Sequence, residues 1–309
     1  MNNVVGADIG GSHISSAVIN LETGKFLDET FCALTVNNKA SAGEILRIWA
    51  ECLTKTISIA GKENISGIGF AMPGPFDYVK GTALFKRVDK YESLYGVKIL
   101  QNLRLLTGLP EDIPIRFMND ATSFAVGEAW IGEAAGFDRV ISLTLGTGFG
   151  SAFTDSGIPV VERDDVPEMG CLWHLPYKEG IADDYFSTRW FVNNYKLNTG
   201  ILLHGVKEIA AKAPIDPAAY NLFVEFGLNL GQFLNTYIKN FLAGVIVLGG
   251  NITESFNLFG TSFVSALKDH DANIPIVFSR LKEKAAISGS ARLLDEAFWE
   301  KTKTLLGKM

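Results

Sequence analysis

The stretch that decides the fold is VVGADIGGSHISSAVIN, from Val4 to Asn20. Apolar runs lie on both sides of Gly10 and Gly11, and two such runs joined by a glycine turn predict a β-hairpin. A hairpin alone needs no carboxylate beside its turn, so Asp8 requires a separate reason. One reason is a side chain that caps its own turn. The other is a ligand bound at the turn.

The composition narrows the classes of function. The chain has 309 residues, which favours two lobes over a single core. Hydrophobic residues make up 47% and charged residues 20%, proportions typical of a packed globular protein rather than a disordered one. The net charge of -6 argues against nucleic acid or an anionic membrane as the main partner.

The sequence has the features of a soluble cytoplasmic protein. Its 3 cysteines are far apart and odd in number, which favours a reducing compartment and provides no CxxC pair for zinc. No basic segment followed by an apolar run begins the chain, so we expect no signal peptide. The most apolar run, FLAGVIVLGG at 241–250, is too short to span a bilayer. The default oligomer is a homodimer.

Strand and helix patterns alternate along the chain. SAGEILRIWAECLTKTISIA predicts a helix, ISGIGFA a buried strand, and IRFMN followed by DATSFAVGEAWIG a strand and then a helix. Long helices are predicted at 217–242 and 283–301, with AGVIVLGGN as a strand between them. This alternation predicts an α/β fold. We place a smaller lobe at 1–118 and a larger lobe at 119–309, and leave open whether the C-terminal helix packs back on the first lobe.

A second glycine turn repeats the first. LTLGTGFGSAFT aligns with ADIGGSHISSAV, which pairs residues 146–148 with residues 10–12. Two such turns facing each other across a cleft would offer backbone N–H groups and hydroxyls to an anion. Glycine permits the close backbone approach that this requires. On turn chemistry alone, two ordinary hairpins remain an open alternative.

Five segments, in order, resemble the ROK family (repressors, uncharacterised reading frames and sugar kinases). DIGGSHISSAVI is similar to the family's first phosphate motif, GIGFAMPGPFD to its glycine-proline loop, and MNDATSFAVGEAWIG to its catalytic Asn-Asp segment. LTLGTGFGSAF resembles the second phosphate loop and VIVLGGN the adenosine-motif strand. The resemblance runs the length of the chain. It implies the two-lobed, ribonuclease H-like fold of actin/hexokinase-type ATPases, with a central cleft, and ATP-dependent phosphorylation of a hexose or N-acetylhexosamine.

The resemblance also implies how ATP and Mg²⁺ would bind. Asp8 would lie near Mg²⁺ and reach it through water, because this hard cation keeps part of its hydration shell. A carboxylate beside bound phosphates would repel them unless a divalent cation lay between. The residues that the resemblance assigns to the cofactor are Asp8, Gly10, Gly11, Ser12, Gly146, Thr147, Gly148, Gly249 and Gly250.

The same resemblance assigns the sugar site. Asp120 would be the general base that accepts the proton of the attacking hydroxyl. Asn119 matches a family ligand of sugar hydroxyls, and Gly74 and Glu168 match further sugar-binding positions. The alternative for Asn119 or Asp120 is that it merely caps the helix that begins at Ala121.

The segment EMGCLWHLPYKEGIADDYFS departs from the family. Cys171 stands where members have a zinc-binding His, and the zinc cysteines are absent from this sequence. Cys171 and His174 would supply two of the four ligands that structural zinc requires, so we expect no zinc. Asp183 lies four residues before Ser187 and would replace the family's second sugar-binding Glu. Asp184 is the competing assignment.

Two other functions stay open. One is a sugar-sensing regulator, but such members carry an N-terminal helix-turn-helix, for which the start of the phosphate motif at Asp8 leaves no room. The other is a sugar-binding protein without catalysis, which the altered zinc segment allows. The retention of Asp8, both glycine turns and the Asn119-Asp120 pair favours the kinase. The sequence leaves the sugar and the phosphorylated hydroxyl open.

Overall fold

The computed structural model of the protein describes residues 2–88, 90–268 and 273–309. Three parts of the chain form one compact unit, which we call the first unit: the chain up to Ala135, Gly157–Pro159 and Leu281–Met309. The second unit comprises Gly136–Ser156 and Val160–Arg280.

The helices and strands follow one another in the predicted alternation. The strands are β1 (Asn3–Ile9), β2 (His13–Asn20), β3 (Phe26–Thr35), β4 (Ile65–Met72), β5 (Phe76–Asp77), β6 (Thr82–Ala83), β7 (Ile115–Asn119), β8 (Arg139–Leu145), β9 (Phe149–Asp155), β10 (Ile158–Pro159), β11 (Pro176–Tyr177), β12 (Gly180–Ile181), β13 (Val245–Gly249) and β14 (Ile276–Phe278). The α-helices are α1 (Ala42–Ala60), α2 (Ile99–Thr107), α3 (Asp120–Ile131), α4 (Ala182–Tyr185), α5 (Thr188–Thr199), α6 (Val206–Lys212), α7 (Pro217–Phe241), α8 (Phe256–Lys268), α9 (Glu283–Ala291) and α10 (Glu296–Thr302).

The main sheet of the first unit has the strand order β3-β2-β1-β4-β7. β1 and β2 form the predicted antiparallel hairpin, in which Asp8 lies opposite Ser15 and Ile9 opposite Ile14. β1 also pairs in parallel with β4, and β4 pairs in parallel with β7. The carboxyl ends of these three parallel strands therefore lie at one edge of the sheet, where α/β proteins place their ligands.

The strands of the second unit repeat this arrangement. β8 and β9 form an antiparallel hairpin, and β8 pairs in parallel with β13, which pairs in parallel with β14. In both units, then, a hairpin with a glycine turn is joined to a parallel strand. The sequence repeat of residues 10–12 and 146–148 corresponds to this repeated topology.

Helix α9 packs closely against both α3 and the sheet of the first unit. A Cβ atom on Gly127 of α3 would lie 1.9 Å from the carbonyl oxygen of Ala285, and one on Gly289 would lie 1.8 Å from that of Ser123. On the sheet, a Cβ on Gly6 would lie 2.0 Å from the carbonyl oxygen of Ile287. Such distances allow no side chain, so glycine is what lets these backbones touch.

This packing explains how the chain divides into units, which differs from the sequence-based prediction. The division between the units falls at Ala135 rather than at residue 118, because α3 packs on α9 within the first unit. The C-terminal segment also belongs to the first unit, the arrangement that the sequence left open. The predicted final helix is divided at Asp295, whose Oδ1 caps a new helix by accepting the N–H of Phe298 at 2.8 Å. Within the described ranges, no helix combines the length and apolarity that a membrane span requires.

Candidate active site

The first glycine turn, residues 10–12, connects β1 to β2 and is closed by a backbone hydrogen bond. The N–H of Gly10 donates to the carbonyl oxygen of His13 at 3.0 Å. The backbone of Gly11 and Ser12 is exposed to solvent. A Cβ atom on Gly10 would lie 2.4 Å from the His13 ring, so a side chain at this position would require that ring to move.

Gly11 has no such requirement. A Cβ atom built on it would meet nothing within 4 Å, and its φ is not in the left-handed region. A residue without a side chain costs conformational entropy on folding, so this glycine is not explained by the fold. An open glycine in an exposed turn is what the close approach of a ligand needs. The turn therefore fits the phosphate site that the resemblance implies.

Asp8 lies at the end of β1 beside this turn, and its carboxyl group is electrostatically unusual. Burial, together with the nearby carboxylates of Asp120 and Glu283, raises the pKa of Asp8 to about 8. Glu283 also accepts a hydrogen bond from Ser15 Oγ, with an oxygen–oxygen distance of 3.3 Å. Two further carboxylates thus disfavour the charged form of Asp8 at this edge, and a cation would relieve that repulsion. Among the described residues, however, no group of three or more His, Cys, Asp or Glu side chains is placed to hold a metal ion.

Glu283 is a residue that the sequence reasoning missed. It is exposed and begins α9, a helix that the sequence did predict. Its position beside Asp8 follows from the packing of α9 on β1, and no local pattern in the sequence indicates that contact.

Asn119 and Asp120 lie where β7 ends and α3 begins. Asn119 Oδ1 caps the helix by accepting the N–H of Thr122 at 3.1 Å, and Asp120 Oδ1 accepts the N–H of Ala121 at 2.8 Å. The capping alternative is therefore real for Asn119. Capping uses only the oxygen of the amide, whose nitrogen has two N–H donors. One of these donates to Tyr78 Oη at 3.2 Å, so the amide can cap the helix and still donate to a sugar hydroxyl.

Gly74 lies in the exposed loop after β4 and reaches the same tyrosine. A Cβ atom on Gly74 would lie 3.5 Å from Tyr78 Oη. The Tyr78 hydroxyl, which is buried, also donates to the carbonyl oxygen of Met72 at 3.2 Å. The structure therefore brings Gly74 and Asn119 together around Tyr78, a residue that the sequence reasoning did not single out.

In the second unit, the glycine turn at 146–148 contacts Asp183. Asp183 Oδ1 accepts the N–H of Phe149 at 2.7 Å, and its other oxygen pairs with Arg189. A Cβ atom on Gly148 would lie 3.1 Å from Asp183 Oδ1, whereas one on Gly146 would meet nothing within 4 Å. Asp183 thus lies against this turn with both oxygens bound to protein groups. Thr147 is exposed at the tip of the turn.

The remaining predicted positions of the second unit lie in a helix, in a strand and in turns. Asp184 accepts the N–H of Ile181 at 3.1 Å, while Glu168 is exposed. Gly250 has φ +86°, and a Cβ there would lie 2.3 Å from the carbonyl oxygen of Leu145, so packing explains this glycine. Gly249 is buried as the last residue of β13.

Cys171 and His174 lie together in the segment that departs from the family. Cys171 Sγ is 3.6 Å from His174 Nδ1. Burial raises the pKa of the Cys171 thiol to about 12 and lowers the pKa of His174, an effect that the charge of Glu168 partly opposes. Both groups are therefore neutral near pH 7: the imidazole is in the form that can ligate zinc, whereas the Cys171 thiol would first have to lose its proton.

Comparison with known proteins identifies the family. A family model described as the ROK family matches residues 4–297. A glucokinase of Thermotoga maritima is 24% identical over 324 residues, covering 95% of this chain and 97% of that protein. An N-acetyl-D-glucosamine kinase of Haemophilus influenzae is 26% identical over 314 residues, covering 93% and 96%. The crystal structure of a ROK hexokinase from Thermus thermophilus has a TM-score of 0.78 at 23% identity, covering 96% and 99% of the two chains, and confirms the predicted α/β fold. The matched segments, in the predicted order, show that the chain belongs to the ROK family.

Proposed function

We propose that this protein transfers the γ-phosphoryl group of ATP to a hydroxyl of a hexose or an N-acetylhexosamine, with Asp120 as the general base. The observation that carries the proposal is the arrangement at one edge of the first sheet. There Asp120 lies close enough to Asp8 to raise its pKa, and Asp8 lies beside a glycine turn with open space at Gly11. Curated relatives over nearly the full chain are named as sugar kinases, which supports this class of reaction.

The first turn is the proposed site for the phosphates of ATP. The backbone of Gly11 and Ser12 would bind phosphate oxygens, and Asp8 would hold Mg²⁺ through water. When bound, Mg²⁺ would neutralise phosphate charge and relieve the repulsion among the carboxylates. We assign Gly146, Thr147 and Gly148 to the same nucleotide, because a Cβ atom on Gly146, like one on Gly11, would meet nothing within 4 Å.

Asp120 would act on the sugar. Its Oδ1 accepts the Ala121 N–H, which fixes the rotamer of the carboxylate at the start of α3. The carboxylate would accept the proton of the attacking hydroxyl, and the Asn119 amide would orient that hydroxyl by a hydrogen bond. Gly74 would let the sugar approach the loop beside Tyr78.

For the remaining sugar contact, Glu168 is the better supported candidate. It is exposed, whereas Asp183 binds Phe149 and Arg189. Those partners support a role for Asp183 in shaping the second turn. We further propose that the segment around Cys171 stands without zinc, that the protein is cytoplasmic and that it is a homodimer.

The proposal is tested by a coupled ADP-release assay with Mg-ATP and a panel of hexoses and hexosamines. We expect at least one sugar to release ADP in proportion to sugar phosphate formed. If no sugar of the panel releases ADP, and one of them still raises the melting temperature, the result would instead support the non-catalytic regulator.

The role of Asp120 is tested by Asp120→Asn. The amide keeps an oxygen that can accept the Ala121 N–H, so fold and sugar affinity should be retained. Turnover should fall about 10²-fold or more, the usual scale for a lost general base. As a control, Asp112→Asn changes an exposed carboxylate in the loop before β7 and should leave turnover unchanged. Near-wild-type turnover of Asp120→Asn would mean that Asp120 is only a cap.

A further inference from the structure

The first glycine turn is held by two side chains that the ATP site does not itself require. Tyr91 Oη donates to the carbonyl oxygen of Gly10 at 2.6 Å. Asn38 Nδ2 donates to the carbonyl oxygen of Gly11 at 2.5 Å. Two consecutive peptide units, 10–11 and 11–12, are therefore bound through their carbonyl oxygens.

These two bonds determine where the N–H groups of the turn point. In a planar trans peptide, the C=O and the N–H of one unit point in opposite directions. Because Tyr91 binds the carbonyl of Gly10, the N–H of Gly11 points away from Tyr91. Likewise, the N–H of Ser12 points away from Asn38. The two donors are thus directed to the exposed side of the turn, where Gly11 leaves room for a ligand.

Tyr91 is restrained within the first unit by the packing of its ring and by its backbone conformation. Its side chain is fully buried. Its ring packs edge-on against Trp49, with ring centroids 5.5 Å apart, and at a tilt against Phe85, with centroids 5.8 Å apart. Its backbone has φ 56° and ψ 23°, in the left-handed region that bulky residues rarely adopt. Residues held in that region are concentrated at functional sites, where the surroundings enforce them.

Asn38 and Tyr91 also hold each other. The N–H of Tyr91 donates to the carbonyl oxygen of Asn38 at 2.9 Å. The two residues are far apart in sequence and lie together beside this turn. Through these hydrogen bonds and ring contacts, Asn38 and Tyr91 connect the aromatic cluster to the peptide units of the turn.

We propose that Tyr91 and Asn38 are positioning residues for nucleotide binding, which orient the N–H groups of Gly11 and Ser12 toward the phosphates of ATP. The inference rests on the proposed assignment of this turn to ATP. It adds that the turn is preorganised by hydrogen bonds to its carbonyl oxygens. A loop so fixed loses less conformational entropy when it binds an anion.

The test is Tyr91→Phe, which keeps the ring and removes the hydroxyl. We expect KM for Mg-ATP and Kd for Mg-ADP to rise about threefold to tenfold, the scale of one net hydrogen bond. KM for the sugar should stay within about twofold. Asn38→Ala should change the same two nucleotide constants in the same direction, and it decides the question if Tyr91→Phe does not fold.

Tyr195→Phe is the matched control. Tyr195 is also buried, and its hydroxyl donates to Asp216 at 2.7 Å in the second unit. Its loss should lower the melting temperature about as much as Tyr91→Phe does, without changing KM for Mg-ATP. If Tyr91→Phe and Tyr195→Phe change the melting temperature alike and neither changes the nucleotide constants, Tyr91 is structural only and the inference is wrong.

Gly11→Ala separates this inference from the assignment of the turn. The new methyl group would meet no protein atom, so the fold should be kept, but it would occupy space that a phosphate needs. If Gly11→Ala weakens Mg-ADP binding and Tyr91→Phe does not, the turn binds nucleotide and only the positioning role fails. If neither variant affects Mg-ADP binding, the assignment of the turn to ATP fails as well.

Discussion

Asp8 has a pKa of about 8 in the folded protein because burial and two neighbouring carboxylates disfavour its charged form. In the unfolded chain its pKa returns to the ordinary value near 3.8. Between these values the folded state binds more protons than the unfolded state, so this group makes stability fall as pH rises. The charged Asp8 is therefore a cost to the fold, which a function at the turn would explain.

Asp8→Asn should make the nucleotide-free protein more stable than wild type at pH about 8 and above, because the amide carries no charge to bury. The difference should shrink as pH falls toward about 4, where Asp8 is protonated in the folded state and the unfolded side chain begins to be protonated too. Melting temperatures measured across this range, without nucleotide or Mg²⁺, check it. The same variant should lose kinase activity. A variant less stable than wild type at every pH would contradict this account of Asp8.

At the scale of single residues, the sequence predicts what local patterns encode. Asp8 beside a glycine turn and Asp120 after a strand could be singled out because their neighbours in sequence define their surroundings. Glu283, Tyr78 and Tyr91 could not, because each reaches the site through a long-range contact. Asp183 was singled out by its spacing to Ser187, but that spacing gave no indication of its hydrogen bond to Phe149.

Among the elements, the contact between α3 and α9 positions the end of the first unit that holds Asp120 and Glu283. The helices touch backbone to backbone at Gly127 and Gly289. Because Asp120 is the first residue of α3 and Glu283 the first of α9, this contact sets how those two carboxylates lie relative to the sheet.

Gly127→Ala should therefore destabilise the protein by about 1–3 kcal/mol, since its methyl group would overlap the Ala285 carbonyl oxygen. Gly43→Ala in α1 is the control, because a Cβ there meets nothing within 4 Å. It should leave stability unchanged or raise it by up to about 1 kcal/mol. Urea unfolding measures both. Equal stabilities for the two variants would contradict the close helix contact.

The segment from Glu168 to Ser187 should hold its structure without metal. Leu172 is buried, its N–H donates to Ser151 Oγ at 2.7 Å, and the Tyr177 ring packs on Phe186 with centroids 5.2 Å apart. We expect elemental analysis to find well under one zinc per chain, and a chelator to leave the melting temperature unchanged. A stoichiometric zinc that survives purification would show that ligands beyond Cys171 and His174 complete a site.

At the element scale, the sequence predicts strands and helices well where periodicity and caps agree, as in the two hairpins and in α7. It fails where a cap lies inside a continuous helical pattern. Residues 283–301 have helical spacing throughout, yet Asp295 ends one helix and begins another. Helical spacing alone does not show this, because the residues on both sides of Asp295 continue the same pattern.

For the whole molecule, the first unit depends on its C-terminal segment. Removal of residues 281–309 would take away α9, whose backbone packs on Gly6 and Gly69 of the sheet. We expect hydrogen exchange measured by mass spectrometry to show lost protection in β1, β2 and β4. Protection in β8, β9 and α7 should persist, because the second unit has its own core. As a control, removal of residues 307–309 should leave both patterns intact. Protected β1 in the longer truncation would show that the first unit folds without α9.

The division into units was the least predictable feature of the chain. The sequence placed the boundary at residue 118, near the end of β7, because local patterns do not reveal which helix packs on which sheet. Only the contact of α3 with α9, across more than half of the chain, assigns α3 to the first unit.

The split composition of the first unit also has a consequence for biosynthesis. A ribosome completes every residue of the second unit before it reaches Leu281, so the nascent chain can bury the second core while the first sheet still lacks its covering helix. At about 5–20 residues per second, the sheet waits many seconds for its partner. During that interval the apolar face of β1 and β4 is available to chaperones, and the first glycine turn, proposed to bind phosphate, matures last.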